Sequence, residues 1–386
     1  MHTSGRIEPS MPTRKAKAPV EPGAVSAEEL KIEFPPIDLP IQPPFPPMEA
    51  KSLDEIPAGD EWQYEPKWDG FRCLAFRNGN DVLLQSKAGQ PLGRYFPELL
   101  EELKQLPQKK FVLDGEIVIF RGKHLSFDDL LMRIHPAESR IKKLSKETPS
   151  SLLTFDLLVD ERGKSLVEMP LEERRKKLNQ LFKEVPKESS VQLSPATTKL
   201  SEAQHWMKNL AGVGFDGVIA KLRGATYASG ERTAMVKIKN LRTADCVVGG
   251  FRYASKGGSI GSLLLGLYDE DGKLNHVGFS ASFKPELKRD LKKIVEALKG
   301  GSGFTGNAPG GPSRWSTERS AEWVPLDPKL VCEVRFDHFS GGRFRHGTKF
   351  LRWRPEKTPK QCTYEQLEVK RAKGLEELGL GRKRAA

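Results

Sequence analysis

From about Glu61 onward, runs of alternating apolar residues are broken at regular intervals by Gly, Asn and Asp. "FRCLAFR" and "DVLLQSK" predict two paired strands around the turn residues Asn78-Gly79-Asn80. "FPELLEELKQL" has helical spacing at Phe96, Leu99, Leu100 and Leu103. "KFVLDGEIVIF" predicts a strand that is apolar on both sides of an acidic centre, and "SLLTFDLLV" predicts another. "MPLEERRKKLNQLF" predicts a helix with Pro170 near its first turn, its "EERRKK" segment a solvated face. "FDGVIAKL" and "MVKIKN" predict two further strands.

After Asn240 the pattern changes. "ADCVVGGFRY", "GSLLLGLYD" and "KLNHVGFSA" predict strands, followed by the helix "KPELKRDLKKIVEAL", a Gly-rich loop from Gly300 to Gly311 and the strand "KLVCEVRFDHFS". Several strands with one helix in this length suit a small β-barrel such as an OB-fold. The Phe34–Met48 stretch, "FPPIDLPIQPPFPPM", is blocked from helix by its prolines. Its apolar residues need a surface, so a strap packed on the first domain is expected. Four segments result: a disordered tail (1–34), an α+β domain (35–241), a barrel domain (242–364) and a charged tail (365–386) that forms at most a frayed helix.

Composition narrows the partner. The 386 residues include 63 Lys and Arg against 51 Asp and Glu, a formal charge of +12. An excess of this size favours a polyanion, nucleic acid above all. The four cysteines, Cys73, Cys246, Cys332 and Cys362, form no CxxC pair, so neither a zinc ribbon nor a disulfide framework is indicated. No signal pattern or membrane-length apolar run is present, and a cytoplasmic protein is expected.

"YEPKWDGFR" sets Lys67 just before an Asp69-Gly70 turn. "LDGEI" puts Asp114 and Glu116 on one face of a strand, because side chains two apart point the same way. Carboxylates inside an apolar strand are costly unless a metal ion, a cation or a ligand hydroxyl offsets them. "FDGVI" adds Asp216. In "MVKIKN", Lys237 and Lys239 share a face, about 7 Å apart, and repel unless an anion lies between them. A triphosphate would satisfy them. An isolated lysine, acidic positions for a divalent cation and paired lysines for phosphates fit nucleotidyl transfer to a lysine. That chemistry needs a neutral amine, whereas free lysine titrates near 10.4. Lys237, Lys239 and a bound metal would lower it.

These stretches resemble, in the expected order, the motifs of the ATP-dependent DNA ligases of the small stand-alone bacterial type, within the covalent nucleotidyltransferase superfamily. "EPKWDGFR" resembles motif I, "SKAGQPLGRYFPEL" the next, "LDGEI" motif III, "TFDLL" the segment whose aromatic stacks on adenine, "FDGVIAK" motif IV, "VKIK" motif V and "FLRWRPEKTPKQCTYEQLE" motif VI with the tail beyond it. The similarity runs from about Pro47 to Glu368. It implies an adenylation (nucleotidyltransferase) domain of mixed and antiparallel sheets and helices, followed by an OB-fold barrel. It further implies ATP and Mg2+ or Mn2+, nicked double-stranded DNA as partner, a monomer, no membrane, and a role in repair.

Carried over by position, Lys67 would become the lysyl-AMP. Glu65 would accept from the adenine amino group, and Phe155 would cover the adenine face. Arg72 would contact ribose and the nick. Glu116 would hold the ribose or a metal ion, and Asp216 the metal. Lys237 and Lys239 would hold the α-phosphate. Arg354 and Lys357, on the barrel, would orient the departing pyrophosphate, so the barrel would swing about a hinge near Leu241–Asp245, with Asp245 its candidate pivot.

The chain departs from the pattern at four places. Asp216 replaces a Glu, Lys87 an Arg, Met235 a Trp, and motif VI reads Arg354-Pro355-Glu356-Lys357 instead of Arg-x-Asp-Lys. RNA ligases and GTP-dependent RNA capping guanylyltransferases share the lysine, the motif order and the fold; Glu65 and the tail argue against capping. A catalytically inactive nucleic-acid-binding module is countered by the intact Lys67, Glu116, Lys237 and Lys239.

Overall fold

The structure, a computed structural model, describes residues 34–210, 214–254, 258–310, 322–368 and 375–380. All of the expected tail 1–34 except Phe34 lies outside these residues, as does Gly311 at the end of the Gly-rich loop.

Two sheets carry the first domain. One has five strands in the order Asp81–Ser86, Phe71–Asn78, Lys110–Val118, Ser151–Val159 and Val191–Leu193. The hairpin at its edge closes with Asn78 opposite Asp81 and with Gly79 at φ +61°, a left-handed turn conformation that glycine adopts without penalty. The other has four strands in the order Lys51–Leu53, Met235–Lys239, Phe215–Leu222 and Trp62–Trp68. Between the sheets lies an apolar layer that includes Trp68, Val118, Leu153, Phe215 and Val218. The strand Ser151–Val159 is buried along its whole length, which is why it reads as a continuous apolar run.

The proline-rich stretch is a strap. Ile37, Leu39, Ile41 and Met48 are buried against Leu74, Phe76, Val112 and Tyr227. Its prolines donate no backbone hydrogen bond, so side chains hold it. Gln85, itself fully buried, accepts from the Phe45 N–H at 2.8 Å and donates to the Phe45 carbonyl at 2.7 Å.

The helix Leu171–Phe182 departs from the expected solvated face at Arg174 and Arg175, both buried. Arg174 pairs with Asp156 on the neighbouring strand at 2.9 Å, and Arg175 donates to the Ser194 carbonyl at 2.6 Å. Alternation along a helix marks a charged face but not the partner that buries it.

In the second domain, the strands Ile260–Tyr268, Leu274–Ser282, Thr348–Trp353, Val331–Phe336 and Arg242–Tyr253 follow one another, and the first also pairs with the last. This closes a five-stranded barrel, and the helix Pro285–Glu296 buries Leu291 and Val295 in its core. The Thr348–Trp353 strand, which carries the start of motif VI, was not evident from polarity because most of its side chains are exposed or half-exposed. The three barrel cysteines are buried in this core, and burial holds their thiols above the usual range.

Beyond the barrel, residues Leu375–Leu380 return to the first domain. Leu375 and Leu380 are buried in its inter-sheet core, and Glu377 meets His205 at 2.8 Å. This part of the expected charged tail is docked through its leucines. No helix among the described residues is long and apolar enough to cross a membrane.

Candidate active site

Lys67 is the penultimate residue of the Trp62–Trp68 strand. Trp68 fixes the strand end: it is buried and donates from Nε1 to the Ser194 hydroxyl at 2.9 Å. Gly70 follows for want of space, since a Cβ there would lie 2.3 Å from the Ile117 carbonyl oxygen and 2.8 Å from Cγ of Glu116. The turn therefore presses directly on the strand that carries Glu116. Opposite Lys67, the Phe215–Leu222 strand has a bulge at Asp216. Gly217 makes the bulge possible with φ +144° and a backbone that packs against Ile238 where a Cβ would collide. The bulge aims Asp216 at Lys67, and the two form an ion pair.

A cavity of about 220 Å³ opens beside Lys67. Glu65, Arg72, Glu116, Phe155, Ile219 and Lys237 line it. The structure thus brings together most of the residues expected to bind nucleotide. Phe155 on one sheet and Ile219 on the other supply apolar walls suited to a base. Glu65 is buried, its two oxygens engaged by Gln63 at 2.8 Å and by Lys221 at 2.7 Å. Lys221 lies 4.5 Å from the Phe155 ring centroid. Lys87 and Arg232 both pair with Glu49 at the edge of the cavity, at 3.5 and 2.7 Å.

Asp114 and Glu116 have different partners. Asp114 is fully buried and forks onto Arg72, whose Nε and Nη2 donate at 2.5 and 2.6 Å. A cation within the chain therefore offsets its charge. Glu116 faces the cavity, and burial raises its carboxyl to about 7 against the pull of Arg72 and Lys67. The Lys67 amine is lowered to about 8. Burial is the main cause, with Lys239 and Lys237 pushing the same way and Glu116 and Asp69 opposing. The sequence reading credited the neighbouring cations; the larger effect is desolvation of the ammonium. At neutral pH about one amine in ten is then uncharged, against fewer than one in a thousand for free lysine.

The remaining expected residues lie elsewhere. Lys239 is paired with Asp337 of the barrel at 2.9 Å. Arg354 and Lys357 do not reach the cavity; they meet Asp245 at 2.8 and 2.6 Å. Asp245 itself sits inside the barrel strand opposite Glu333, with its N–H bonded to Gln366. It belongs to the barrel, and the connection between the two domains is Asn240 and exposed Leu241, before the strand that starts at Arg242.

Three barrel residues not singled out in the sequence contact the site instead. Asp337 meets Lys239, His338 Nε2 lies 2.6 Å from Asp216, and Arg345 pairs with Asp69. Arg345 also stacks 4.1 Å over the Phe127 ring. Burial would raise the Asp337 carboxyl, but hydrogen bonds from Lys239 and His346 hold it well below the usual range. The only sequence signal for these contacts is a set of charges among aromatics, in "FDHFS" and "GRFRHG".

Known proteins are similar to this chain. Residues 47–239 match the ATP dependent DNA ligase domain, and residues 256–357 match the ATP dependent DNA ligase C terminal region. DNA ligase C1 of Mycolicibacterium smegmatis is 44% identical over 345 residues, which cover 86% of this chain and 96% of that protein. DNA ligase C of Mycobacterium tuberculosis is 42% identical over 351 residues, with the same coverage of 86% and 96%. A solved Lig E DNA ligase shares the fold at 19% identity and a TM-score of 0.50, over 80% of this chain and 99% of that one. With both ligase regions matched in order along the chain and 44% identity over 86% of it, the chain belongs to the family of ATP-dependent DNA ligases.

Proposed function

We propose that the chain seals nicks in duplex DNA, acting as a monomer in DNA repair, through a lysyl-AMP at Lys67. The observation that carries this reading is the place of Lys67, half-buried at the cavity lined by Glu65, Phe155 and Lys237 and opposite Asp216, with its amine lowered to about 8.

The Nζ lone pair attacks the α-phosphorus of ATP. A P–N bond forms, the bond to pyrophosphate breaks, and the amine proton passes to solvent as Lys67 parts from Asp216, its ion-pair partner. A 5′-phosphate oxygen at the nick then attacks the same phosphorus, and the lysine leaves and regains a proton. Last, the 3′-hydroxyl oxygen attacks the 5′-phosphorus, the anhydride P–O bond to AMP breaks, AMP leaves, and the hydroxyl proton passes to solvent. Phe155 and Ile219 would hold the base, Glu65 its amino group, and Lys237 the α-phosphate. Lys239 joins Lys237 once Asp337 lets go.

The residues fit a divalent cation. Glu116 is a carboxylate that burial disfavours in its charged form, and a cation would offset that cost. Asp216 would serve after release from Lys67 and His338. No cluster of three or more His, Cys, Asp or Glu side chains able to hold a metal occurs among the described residues. Two carboxylates plus substrate phosphate oxygens are the donor set that Mg2+ commonly takes, and Mn2+ accepts similar oxygen ligands. Such a cation supplies charge neutralisation at the reacting phosphate.

The position of the barrel suits the later steps. Arg354 and Lys357 are useful while pyrophosphate is present, yet here they are tied to Asp245 and the barrel presents Asp337, His338 and Arg345 to the site. Rotation about Asn240 and Leu241 would bring motif VI over the cavity for the first step.

The test is incubation with α-labelled ATP and Mg2+ or Mn2+, with Lys67→Ala beside the native chain, followed by joining of a nicked duplex. A label on the native protein at Lys67, absent from the variant, together with loss of joining, is expected. An alanine variant that still joins strands from ATP would overturn the reading.

A further inference from the structure

Tyr227 lies on the loop between the strands that carry Asp216 and Lys237, and no step above uses it. Its ring is buried, stacked on Phe45 of the strap with centroids 6.2 Å apart, and the Arg174 guanidinium lies 5.6 Å from its centroid. Packing alone would be served by phenylalanine. The hydroxyl, however, makes two buried hydrogen bonds. It accepts from the Met48 N–H at 3.0 Å and donates to Oδ2 of Asp114 at 2.6 Å.

That same Oδ2 accepts from Nη2 of Arg72, while Oδ1 accepts from Nε. The phenol therefore fixes the plane of the carboxylate on which the guanidinium forks. Arg72 in turn is set 4.6 Å from the Phe155 ring centroid, inside the nucleotide cavity. Burial and the Asp114 charge hold the phenol well above its usual range, so it stays a donor.

We propose that Tyr227 is a positioning residue for strand joining: through Asp114 it orients the Arg72 guanidinium, and through Met48 it couples that orientation to the proline-rich strap. The proposal rests on the assignment of Arg72 to the ribose and nick, of which the nick contact is made only in joining while the ribose contact is shared with Glu116. Charge-assisted hydrogen bonds are directional, and a guanidinium forked on a fixed carboxylate has little freedom to point elsewhere. Without the phenol, the carboxylate can rotate, and a misaimed group slows a reaction that depends on alignment. The strap thereby acquires a role beyond covering apolar surface, because the last buried residue of the run, Met48, closes the chain of hydrogen bonds.

Tyr227→Phe keeps the ring and removes both bonds. Two single-turnover rates separate the readings: lysyl-AMP formation from ATP, and phosphodiester formation by unadenylated enzyme on a nick already carrying a 5′-adenylate. For Tyr227→Phe the joining rate should fall about tenfold, the order expected for losing one hydrogen bond to a charged group, with lysyl-AMP formation within about threefold of native. Arg72→Ala should lose joining more severely. If Tyr227→Phe joins at the native rate while Arg72→Ala does not, the coupling is wrong and the Arg72 assignment stands. If Arg72→Ala also joins normally, the assignment itself is wrong. Equal losses in both steps, accompanied by a lowered Tm, would reduce Tyr227 to a structural residue and overturn the proposal. Should Tyr227→Phe not fold, Asp114→Asn replaces it, breaking the same fork with the same expected asymmetry.

Discussion

Arg345 of the barrel and Asp69 of the motif I turn form an ion pair between the two domains, with Nη1 2.8 Å from each carboxylate oxygen. Both side chains are largely buried, at 18% and 15% exposure, so solvent screens the pair only partly. The pair fixes the barrel against the residues that follow Lys67. It exists only when the barrel faces the site in this way, so its loss should be felt in strand joining. Arg345→Ala is expected to lower joining of a pre-adenylated nick by about tenfold to a hundredfold, consistent with breaking a partly buried ion pair. Lysyl-AMP formation should stay within about threefold. An Asp69→Ala, Arg345→Ala double-mutant cycle on the joining rate checks the coupling; additive losses would exclude it.

Motif VI should behave in the opposite way. Arg354 and Lys357 share Asp245 and stand away from the cavity when the barrel faces the site. In the proposed cycle their work falls in the step that releases pyrophosphate. Arg354→Ala and Lys357→Ala should each slow lysyl-AMP formation at least about tenfold, roughly the contribution of one charge-stabilising group. Joining of a pre-adenylated nick should be nearly unchanged. Loss of joining with normal adenylation would contradict the rotation.

Much of this architecture can be read from polarity alone. The Phe71–Asn78 and Asp81–Ser86 hairpin follows from local alternation and turn residues, and the Ser151–Val159 strand from its continuous apolar run. Lys67, Glu116, Phe155 and Lys237 converge on one cavity as the motifs implied. What was not legible depends on docking. Asp337, His338 and Arg345 meet Lys239, Asp216 and Asp69 only because the barrel folds back onto the first domain, and no local pattern encodes an approach across 276 residues, the separation of Asp69 and Arg345. Arg174 looked solvated because a helix face of mixed charges does not reveal Asp156 on the strand beneath it. Lys67 owes its lowered pKa mainly to burial, and burial is a property of the packed sheets.

The leucines at 375 and 380 illustrate the same point in a charged segment. "GLEELGL" reads as a solvated tail, yet Leu375 and Leu380 are buried against the domain that holds Lys67, with the Leu375 N–H bonded to the Lys123 carbonyl. Burying a leucine contributes about 1.5–3 kcal/mol. The segment follows the barrel in the chain yet docks on the first domain, so its docking opposes rotation of the barrel. A chain ending at residue 374 should therefore form lysyl-AMP faster than the full chain, and its first domain should lose about 1–3 kcal/mol of stability, limited by local undocking. Stopped-flow adenylation and denaturant unfolding measure the two effects. An unchanged adenylation rate would show that the segment does not restrain the barrel.

Acid sensitivity should centre on His276 in the barrel. Its ring is buried and packs edge-on to Phe304 at 5.3 Å, with Nδ1 3.3 Å from the Arg343 guanidinium. Burial, helped by Arg343 and Arg252, lowers it from 6.5 to about 3. The folded barrel thus holds this ring neutral, whereas the unfolded chain takes up a proton below pH 6.5. The stability it contributes is present in full above that pH and is lost as the pH falls toward 3. The slope is about 1.4 kcal/mol per pH unit, or about 2 kcal/mol between pH 6.5 and 5. His276→Gln cannot titrate, so its stability should change less over this range than that of the native chain. Urea unfolding of the two proteins at pH 7.5, 6 and 5 gives the comparison. Equal slopes would mean that His276 stays charged, or free to become so, within the folded barrel.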